Sequence, residues 1–326
     1  MSTSTIGVVA IGRNEGERLR RCLASVLGVV ERVVYVDSGS TDGSVAMAIS
    51  MGADVVELDM STPFTAARAR NEGFSRLQSL CPNLSYVQFV DGDCEVAANW
   101  LVTSSAFLVA HPEVAVVCGR RRERFPERSV YNLLCDVEWN SPIGEAKACG
   151  GDALMRAEVL CTAGGYRAGL IAGEEPELCL RLRAAGWKIW RLDAEMTLHD
   201  AAMLRFGQWW KRLVRGGHAY AEGAYLHGAS VERHWVHETR RIWFWALGLP
   251  VLSLASLAAF DWVWLAVLLV YPLQVVRLAF RGQSDVRTNW LRALFLVLAK
   301  FPELQGQLTF WWRKVSAGKT TLIEYK

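Results

Sequence analysis

The 326-residue chain has eight cysteines, at 22, 81, 94, 118, 135, 149, 161 and 179, and no two form a C-x-x-C pair. A zinc ribbon or finger built on paired ligands therefore has little basis. Most of the cysteines lie in apolar runs such as Val116-Val117-Cys118, where a free buried thiol is the ordinary state. No G-x-G-x-x-G follows the first apolar run, which argues against a dinucleotide cofactor, and no G-x-x-x-x-G-K-[ST] occurs, which excludes a phosphate-loop nucleotidase. The opening Met1-Ser2-Thr3-Ser4-Thr5 lacks the basic region of a secretory leader, so the head is expected to remain in the reducing cytoplasm. Internal repeats and low-complexity tracts are also missing. Charged residues make up only 21 % against 52 % apolar, which excludes a disordered, collagen-like or disulfide-scaffold protein.

Charge is unevenly placed. Residues 1–200 hold 20 basic and 26 acidic side chains, whereas residues 201–326 hold 16 basic and 7 acidic ones together with 10 of the 14 tryptophans. A mildly acidic head is thus followed by a basic, Trp-rich, apolar tail, a pairing that points to a globular domain with a membrane-facing region. Residues 242–260 carry no charge, Asp261 interrupts, and 262–276 add 15 more uncharged residues. Arg240 and Arg241 precede the run, and Arg277 and Arg281 follow it. Its length suits two short membrane helices or one span, and basic flanks on both sides favour a hairpin over 242–280. Residues 288–314 mix apolar residues with Arg292, Lys300, Glu303 and Arg313, the pattern of an interfacial helix or helix pair. A buried helical subdomain is the alternative for the whole tail. The expected division is therefore 1–235 and 236–326.

In the head, short apolar runs at 6–11, 33–36, 53–58, 86–90 and 114–118 read as buried strands. They alternate with helical patterns at 15–27, from Ser40 or Thr41 as cap through 49, at 66–80 and at 97–108. The expected fold is α/β, a mostly parallel sheet covered by helices on both faces. Ligands of such sheets bind beyond the carboxyl ends of the strands. Polar clusters at 12–15, 37–42 and 91–93 all fall at predicted strand ends.

Asp91-Gly92-Asp93 offers two carboxylates in a tight turn, able to hold a divalent cation and through it a diphosphate, or simply to cap the turn. Asp37 can accept from a base N–H or a ribose hydroxyl. Glu174 and Glu175, just ahead of Pro176, open a helix expected to run to about 185 and stop at Gly186. They either complement its dipole or supply a general base. The run from Gly119 to Arg124, with Arg128, reads as a basic loop, either a solvated surface or an anion contact.

Taken in order, Ile11-Gly12-Arg13-Asn14-Glu15, Val36–Asp42, Ala69-Arg70-Asn71-Glu72-Gly73, Val90–Asp93, Gly150-Gly151-Asp152 and Gly173-Glu174-Glu175…Arg181…Gly186-Trp187 resemble glycosyltransferase family 2. The resemblance covers residues 6 to about 200. It implies a GT-A type, Rossmann-like sheet and inverting transfer from a nucleoside diphosphate sugar, UDP-sugar favoured, to an acceptor hydroxyl. It implies a donor site lined by Ile11, Arg13, Asn14, Glu15, Asp37, Ser38, Arg70, Asp91, Gly92, Asp93 and Asp152, with Mg²⁺ or Mn²⁺ on Asp93 and His199. Glu175 stands where the family places its base, with Glu174 beside it. Ser38 replaces the second of two acids often found there. Gln208-Trp209-Trp210-Lys211-Arg212 only approximates the Gln-x-x-Arg-Trp of processive synthases, so one sugar per encounter is expected. The basic, apolar tail points to a lipid-linked or glycan acceptor at the cytoplasmic face of the plasma membrane; no nucleic-acid partner is expected. A nucleotidyltransferase, or a non-catalytic membrane scaffold that keeps the fold, are the competing readings.

Overall fold

The structure, a computed structural model, describes residues 5–259 and 262–316. The chain divides into two compact units, Met1–Ala202 and Met203–Lys326. In chain order the first unit contains β1 (Ile6–Gly12), α1 (Glu17–Ala24), β2 (Arg32–Asp37), α2 (Ser44–Ser50), β3 (Asp54–Glu57), α3 (Ala66–Leu80), β4 (Tyr86–Asp91), β5 (Cys94–Val96), α4 (Trp100–Ala110), β6 (Val114–Glu123), α5 (Val130–Trp139), β7 (Gly144–Ala146), β8 (Ala153–Arg156), α6 (Ala157–Thr162), α7 (Glu174–Ala184) and β9 (Lys188–His199).

The strands form one sheet in the order β3-β2-β1-β4-β8-β6-β9-β5, with β7 also on β9. Strands β3, β2, β1 and β4 are parallel, joined by helical crossovers as the alternating pattern predicts. β6 and β9 are also parallel to each other, so the expected parallel majority holds, and β5, β7 and β8 make the sheet mixed. β8 runs antiparallel to β4 and β6, and β5 and β7 run antiparallel to β9. The central strands are buried without alternation: Val8, Val9, Ala10, Val34, Tyr35 and Val36 are all fully buried. Such continuous runs are what a sheet covered on both faces requires. Gly73 lets α3 settle on it, since a Cβ there would lie 2.4 Å from Val9 Cγ1 and 2.8 Å from Val36 Cγ2.

Two local expectations are revised. Helix α2 starts at Ser44, where Asp42 Oδ1 accepts from the Ser44 N–H at 3.1 Å, so neither Ser40 nor Thr41 is the cap. The basic run is not a loop but the second half of β6. Val114–Gly119 belong to the core, and Arg120–Glu123 continue the ladder with β9. Helix α7 matches its prediction, with Pro176 in the first turn and Gly186 just past its end at φ +89°.

The second unit is helical: α8 (Phe206–His227), α9 (Val236–Trp243), a π-helical turn (Phe244–Gly248), α10 (Leu249–Ala259), a 3₁₀ segment (Trp262–Leu269), α11 (Val270–Ala279), α12 (Val286–Leu298) and α13 (Lys300–Val315). Among the described residues no helix is long and apolar enough to cross a membrane. This corrects the spanning hairpin expected over 242–280, whose central residues 260 and 261 lie outside the described ones. The apolar run is subdivided instead. Pro250 has no N–H to offer the Ala246 carbonyl, and the chain takes π geometry just before it. Of the single helix or helix pair expected over 288–314, the pair is found: two helices meet at Ala299, with Pro302 in the first turn of the second. α8 and α13 pack with backbones in contact: a Cβ on Gly217 would fall 2.0 Å from the Glu303 carbonyl oxygen, and one on Gly306 2.0 Å from that of Val214. Gln208 closes the start of α8 by accepting from the Leu204 and Arg205 N–H groups at 2.9 and 3.0 Å.

Candidate active site

The parallel register carries the predicted polar clusters to one edge of the sheet. Gly12 lies opposite Asp37, and Ile11 opposite Asp91. Asp37 is buried and well served: Oδ1 accepts from the Tyr35 hydroxyl at 2.8 Å, and Oδ2 from the Gly39 and Ser40 N–H groups at 2.9 and 2.7 Å. The loop after β1 is clasped to the loop after β2. Asn14, at φ +55°, donates its N–H to Ser40 Oγ at 2.8 Å and accepts from the Thr41 N–H at 2.8 Å. Ile11 and Ser38 are buried, and Ser38 Oγ has no hydrogen-bond partner among the described residues. Arg13 and Asn14 are exposed, while Glu15 pairs with Arg18 at 2.7 Å. Gly92 sits tight on β1, its N–H bonded to the Ile11 carbonyl at 2.8 Å.

Beneath this rim runs a connected set of charges. The buried Arg70 guanidinium reaches Asp91 Oδ1 at 2.9 Å, Glu174 Oε1 at 2.8 Å and Glu175 Oε1 at 2.9 Å. Arg121 reaches Asp91 Oδ2 at 3.2 Å and Asp152 Oδ2 at 2.7 Å, and its guanidinium lies over the Trp139 ring. Asp152, fully buried, also accepts from the Thr197 hydroxyl at 2.7 Å and from the Asp91 N–H at 3.0 Å. Gly151 makes room for this lattice, since a Cβ there would lie 2.6 Å from Arg70 Nη2 and 2.8 Å from Asp91 Oδ2. Burial, reinforced by the neighbouring Glu174 charge, pushes Glu175 up to about 7 despite the opposing Arg70. A carboxylate tuned near neutrality is the kind that can accept a proton from a hydroxyl during reaction.

The metal-binding residues implied by the resemblance meet at one corner. His199 Nε2 lies 3.3 Å from Asp93 Oδ2, and His199 Nδ1 lies 3.3 Å from Glu123 Oε2. Burial pushes His199 below its ordinary range, which favours the neutral ring with a single N–H. One proton can serve only one of the two carboxylates. If it sits on Nδ1 toward Glu123, the Nε2 lone pair and the Asp93 oxygen face each other as two acceptors, an arrangement that a cation between them satisfies. Donor atoms of Asp93, Cys94 and His199 all lie within 4.8 Å of one another. The residues therefore fit a divalent ion.

The structure thus brings together Arg70, Asp91, Asp152, Glu174 and Glu175 in one network, and Asp93 and His199 in another. Arg70 and Asp152 are buried braces of these networks. The basic run is largely spoken for as well: Arg122 pairs with Asp136 at 3.0 Å, Arg124 with Glu95, and Arg128 stacks on Phe125. Glu123, Thr197 and Cys94 were not anticipated. Glu123 and Thr197 are marked in the sequence only by lying two residues from, respectively, Arg121 and His199.

Residues 8–161 match the model of the glycosyl transferase family 2 domain. Among curated proteins, the chain is 35 % identical over 95 residues to an uncharacterized glycosyltransferase of Rickettsia conorii, covering 29 % of this chain and 31 % of that one. It is 40 % identical over 63 residues to a TPR repeat-containing protein of Synechococcus elongatus, covering 19 % and 16 %. The chain thus spans less than a third of the length of these relatives. Among solved structures, the mannosyltransferase PcManGT from Pyrobaculum calidifontis, in complex with GDP-Man and Mn²⁺, shares the fold at a TM-score of 0.65 and 16 % identity, over 96 % of this chain and 89 % of that one. S. aureus TarS 1–349 shares it at 0.52 and 15 %, over 93 % and 92 %.

Proposed function

We propose that the protein is a metal-dependent, inverting glycosyltransferase. It would move one sugar per encounter from a nucleoside diphosphate sugar, UDP-sugar favoured, to an acceptor hydroxyl. The observation that carries this reading is the pairing of a carboxylate raised to about 7, Glu175, with an acid–imidazole corner at Asp93 and His199 on the same sheet edge. Glu175 takes the acceptor's proton as the hydroxyl attacks the anomeric carbon. Arg70 holds Glu174 and Glu175 in place and keeps their combined charge compensated. Asp37, Asn14 and the backbone of the first two loops form a rigid rim for the nucleoside. Asp93 and His199 would hold Mg²⁺ or Mn²⁺, which supplies positive charge to a departing diphosphate. Transfer by a single base, without a second carboxylate across the bond, supports inversion over the two-carboxylate logic of a glycosidase.

The acceptor is proposed to be lipid-linked or a glycan, presented at the cytoplasmic face of a membrane. Supporting this, the second unit leaves Phe244, Leu252, Leu254, Leu273, Phe280 and Trp312 exposed. Its stretch of chain also carries the excess of basic over acidic residues. Such a surface suits adsorption to anionic lipid without a span. Flotation with phosphatidylcholine vesicles, with and without phosphatidylserine, tests it. Salt-sensitive binding that needs the anionic lipid supports the proposal, and no binding to either rejects it.

The catalytic reading is tested by donor hydrolysis and binding across a panel of nucleotide sugars with Mn²⁺, Mg²⁺ or chelator, beside Asp93→Ala and Glu175→Gln. Metal-dependent selection of one donor, lost in Asp93→Ala, is expected. Glu175→Gln should bind donor without turnover. If no nucleotide sugar binds under any condition, the scaffold reading replaces this one.

A further inference from the structure

Two buried thiols meet where two segments of the candidate site run side by side. Cys149 Sγ and Cys179 Sγ lie 3.6 Å apart, in contact but unbonded. Cys179 is in the middle of α7, one turn beyond Glu175, so the two residues share a face of the helix. Cys149 belongs to the stretch between β7 and β8, which has neither helix nor strand and which leads directly into Gly150, Gly151 and Asp152. One further turn along α7, the Arg183 guanidinium donates to the Lys147 carbonyl. The loop is therefore laid along the helix that carries the proposed base, matched at two successive turns.

Buried cysteines are ordinarily small apolar packing residues. Cys118 fits that description: burial pushes its thiol up to about 12, and its Sγ donates to the Trp190 carbonyl at 3.7 Å. The Cys149–Cys179 pair differs. The Cys149 S–H, helped by the Cys149 N–H and the Arg183 charge, holds Cys179 below the ordinary thiol range against the cost of burial, while Cys149 itself goes up. A thiolate beside a thiol is the reactive arrangement of a dithiol. Cys149 keeps 7 % of its surface exposed and Cys179 none, so a small oxidant reaches the pair from the Cys149 side.

We propose that Cys149 and Cys179 are a reversible oxidation site, closed to a disulfide by hydrogen peroxide, and that closure slows the transfer proposed above. The control of transfer rests on that functional reading; the disulfide chemistry does not. First, the Cys179 thiolate attacks one peroxide oxygen: an S–O bond forms, the O–O bond breaks, and hydroxide leaves. Then the Cys149 sulfur attacks the Cys179 sulfur of the sulfenic acid, and the hydroxyl group leaves. The two thiol protons end on the two hydroxides, so two thiols and one peroxide give one disulfide and two waters. A bond of about 2.05 Å requires the sulfurs to close by about 1.5 Å. α7 is anchored by Arg181, which donates to the Ala163 and Gly165 carbonyls at 2.5 and 2.7 Å, so the loop is the part that moves. Gly151 lies two residues on, packed against Arg70 and Asp91. Drawing the loop toward α7 disturbs the frame that orients Glu175, and a misplacement of about 1 Å in such a frame costs up to about 100-fold in rate.

The test uses the full chain, reduced with dithiothreitol and then treated with hydrogen peroxide, beside Cys149→Ala, Cys179→Ala and Cys118→Ala. All carry Cys161→Ser, which removes the exposed thiol. Peptide mapping by mass spectrometry without reductant should show one pair of peptides joined through Cys149 and Cys179. The link should be lost on renewed reduction and persist in Cys118→Ala. The kcat of donor turnover should fall by about 10–100-fold on oxidation and return with dithiothreitol, whereas Cys149→Ala and Cys179→Ala should not respond to peroxide. Mapping of the parent does not depend on any variant at these positions folding. A link through Cys118, or peroxide treatment that gives no link, overturns the oxidation site. A Cys149–Cys179 disulfide that leaves kcat unchanged overturns the control of transfer. If the reduced chain turns over no donor, that control falls together with the proposed function, and the mapping alone decides the disulfide.

Discussion

Replacing Arg70 by methionine should destabilise the first unit strongly, and more so as pH rises. The guanidinium is almost wholly buried and touches three carboxylates at 2.8–2.9 Å. Removing one member of a buried ion pair costs about 3–5 kcal/mol, because the remaining charge is left uncompensated. Here Glu174 and Glu175 both lose their cation, while Asp91 still meets Arg121 at 3.2 Å, so the upper part of that range is expected at pH 7.5. The sign of the pH dependence follows from linkage. Arg70 opposes the rise of Glu175, so without it the folded-state pKa of Glu175 moves further up, away from an unfolded value near 4. A carboxyl raised on folding contributes stability below its unfolded pKa and loses it as pH climbs through its folded pKa. Glu175 already behaves so in the parent, being raised to about 7. The variant's deficit should therefore shrink toward pH 5, by up to about 1.4 kcal/mol per pH unit as Glu175 takes up its proton. Urea unfolding followed by tryptophan fluorescence at pH 5 and 7.5 measures both terms. Arg70→Lys keeps the charge but not the fork and should recover only part of the loss. A deficit below about 1 kcal/mol, or one identical at the two pH values, would refute the argument that Arg70 compensates this acid cluster.

Other consequences can be checked independently. The kcat/KM of the proposed transfer should rise with pH through about 7 as Glu175 ionises; in Glu175→Gln the limb should disappear and turnover fall by about 10²–10⁴-fold. Gly151→Ala places a methyl 2.6 Å from Arg70 Nη2 and should cost about 1–3 kcal/mol, read as a lower thermal midpoint. In the second unit, Gly217→Ala puts a methyl 2.0 Å from a backbone carbonyl of α13. It should destabilise by a similar amount of about 1–3 kcal/mol, whereas Gly216→Ala, with open space around its Cβ, should not.

What could be read from the chain alone was whatever depends on neighbours in sequence. Continuous apolar runs marked β1, β2 and β4, Pro176 and Gly186 bracketed α7, and Asp91-Gly92-Asp93 fell at a strand end. Pairings across long separations were not readable. The arginines of 120–124 look like a solvated run because their partners Asp152, Asp136 and Glu95 are distant in sequence. Glu123 is hidden among those arginines, yet it faces His199, 76 residues away. Hydropathy of 242–276 signals length but not continuity, and the π-helical turn before Pro250 and the 3₁₀ segment before α11 subdivide it. The direction of β8 follows from pairing partners, which apolar periodicity does not encode.

The alternation of charge from Glu174 and Glu175 through Arg70, Asp91 and Arg121 to Asp152 constrains how this protein can change over generations. Any single replacement strands a neighbour, so viable lineages must pass through paired exchanges or keep every member. Mutational drift at these positions should be slow and correlated, even where a residue never meets the substrate. The two loops that form the rim are tied through the Asn14 and Ser40 side chains, so those two positions are held while others in the loops can vary more freely. New donor preferences can therefore arise at the rim while the charges below stay fixed.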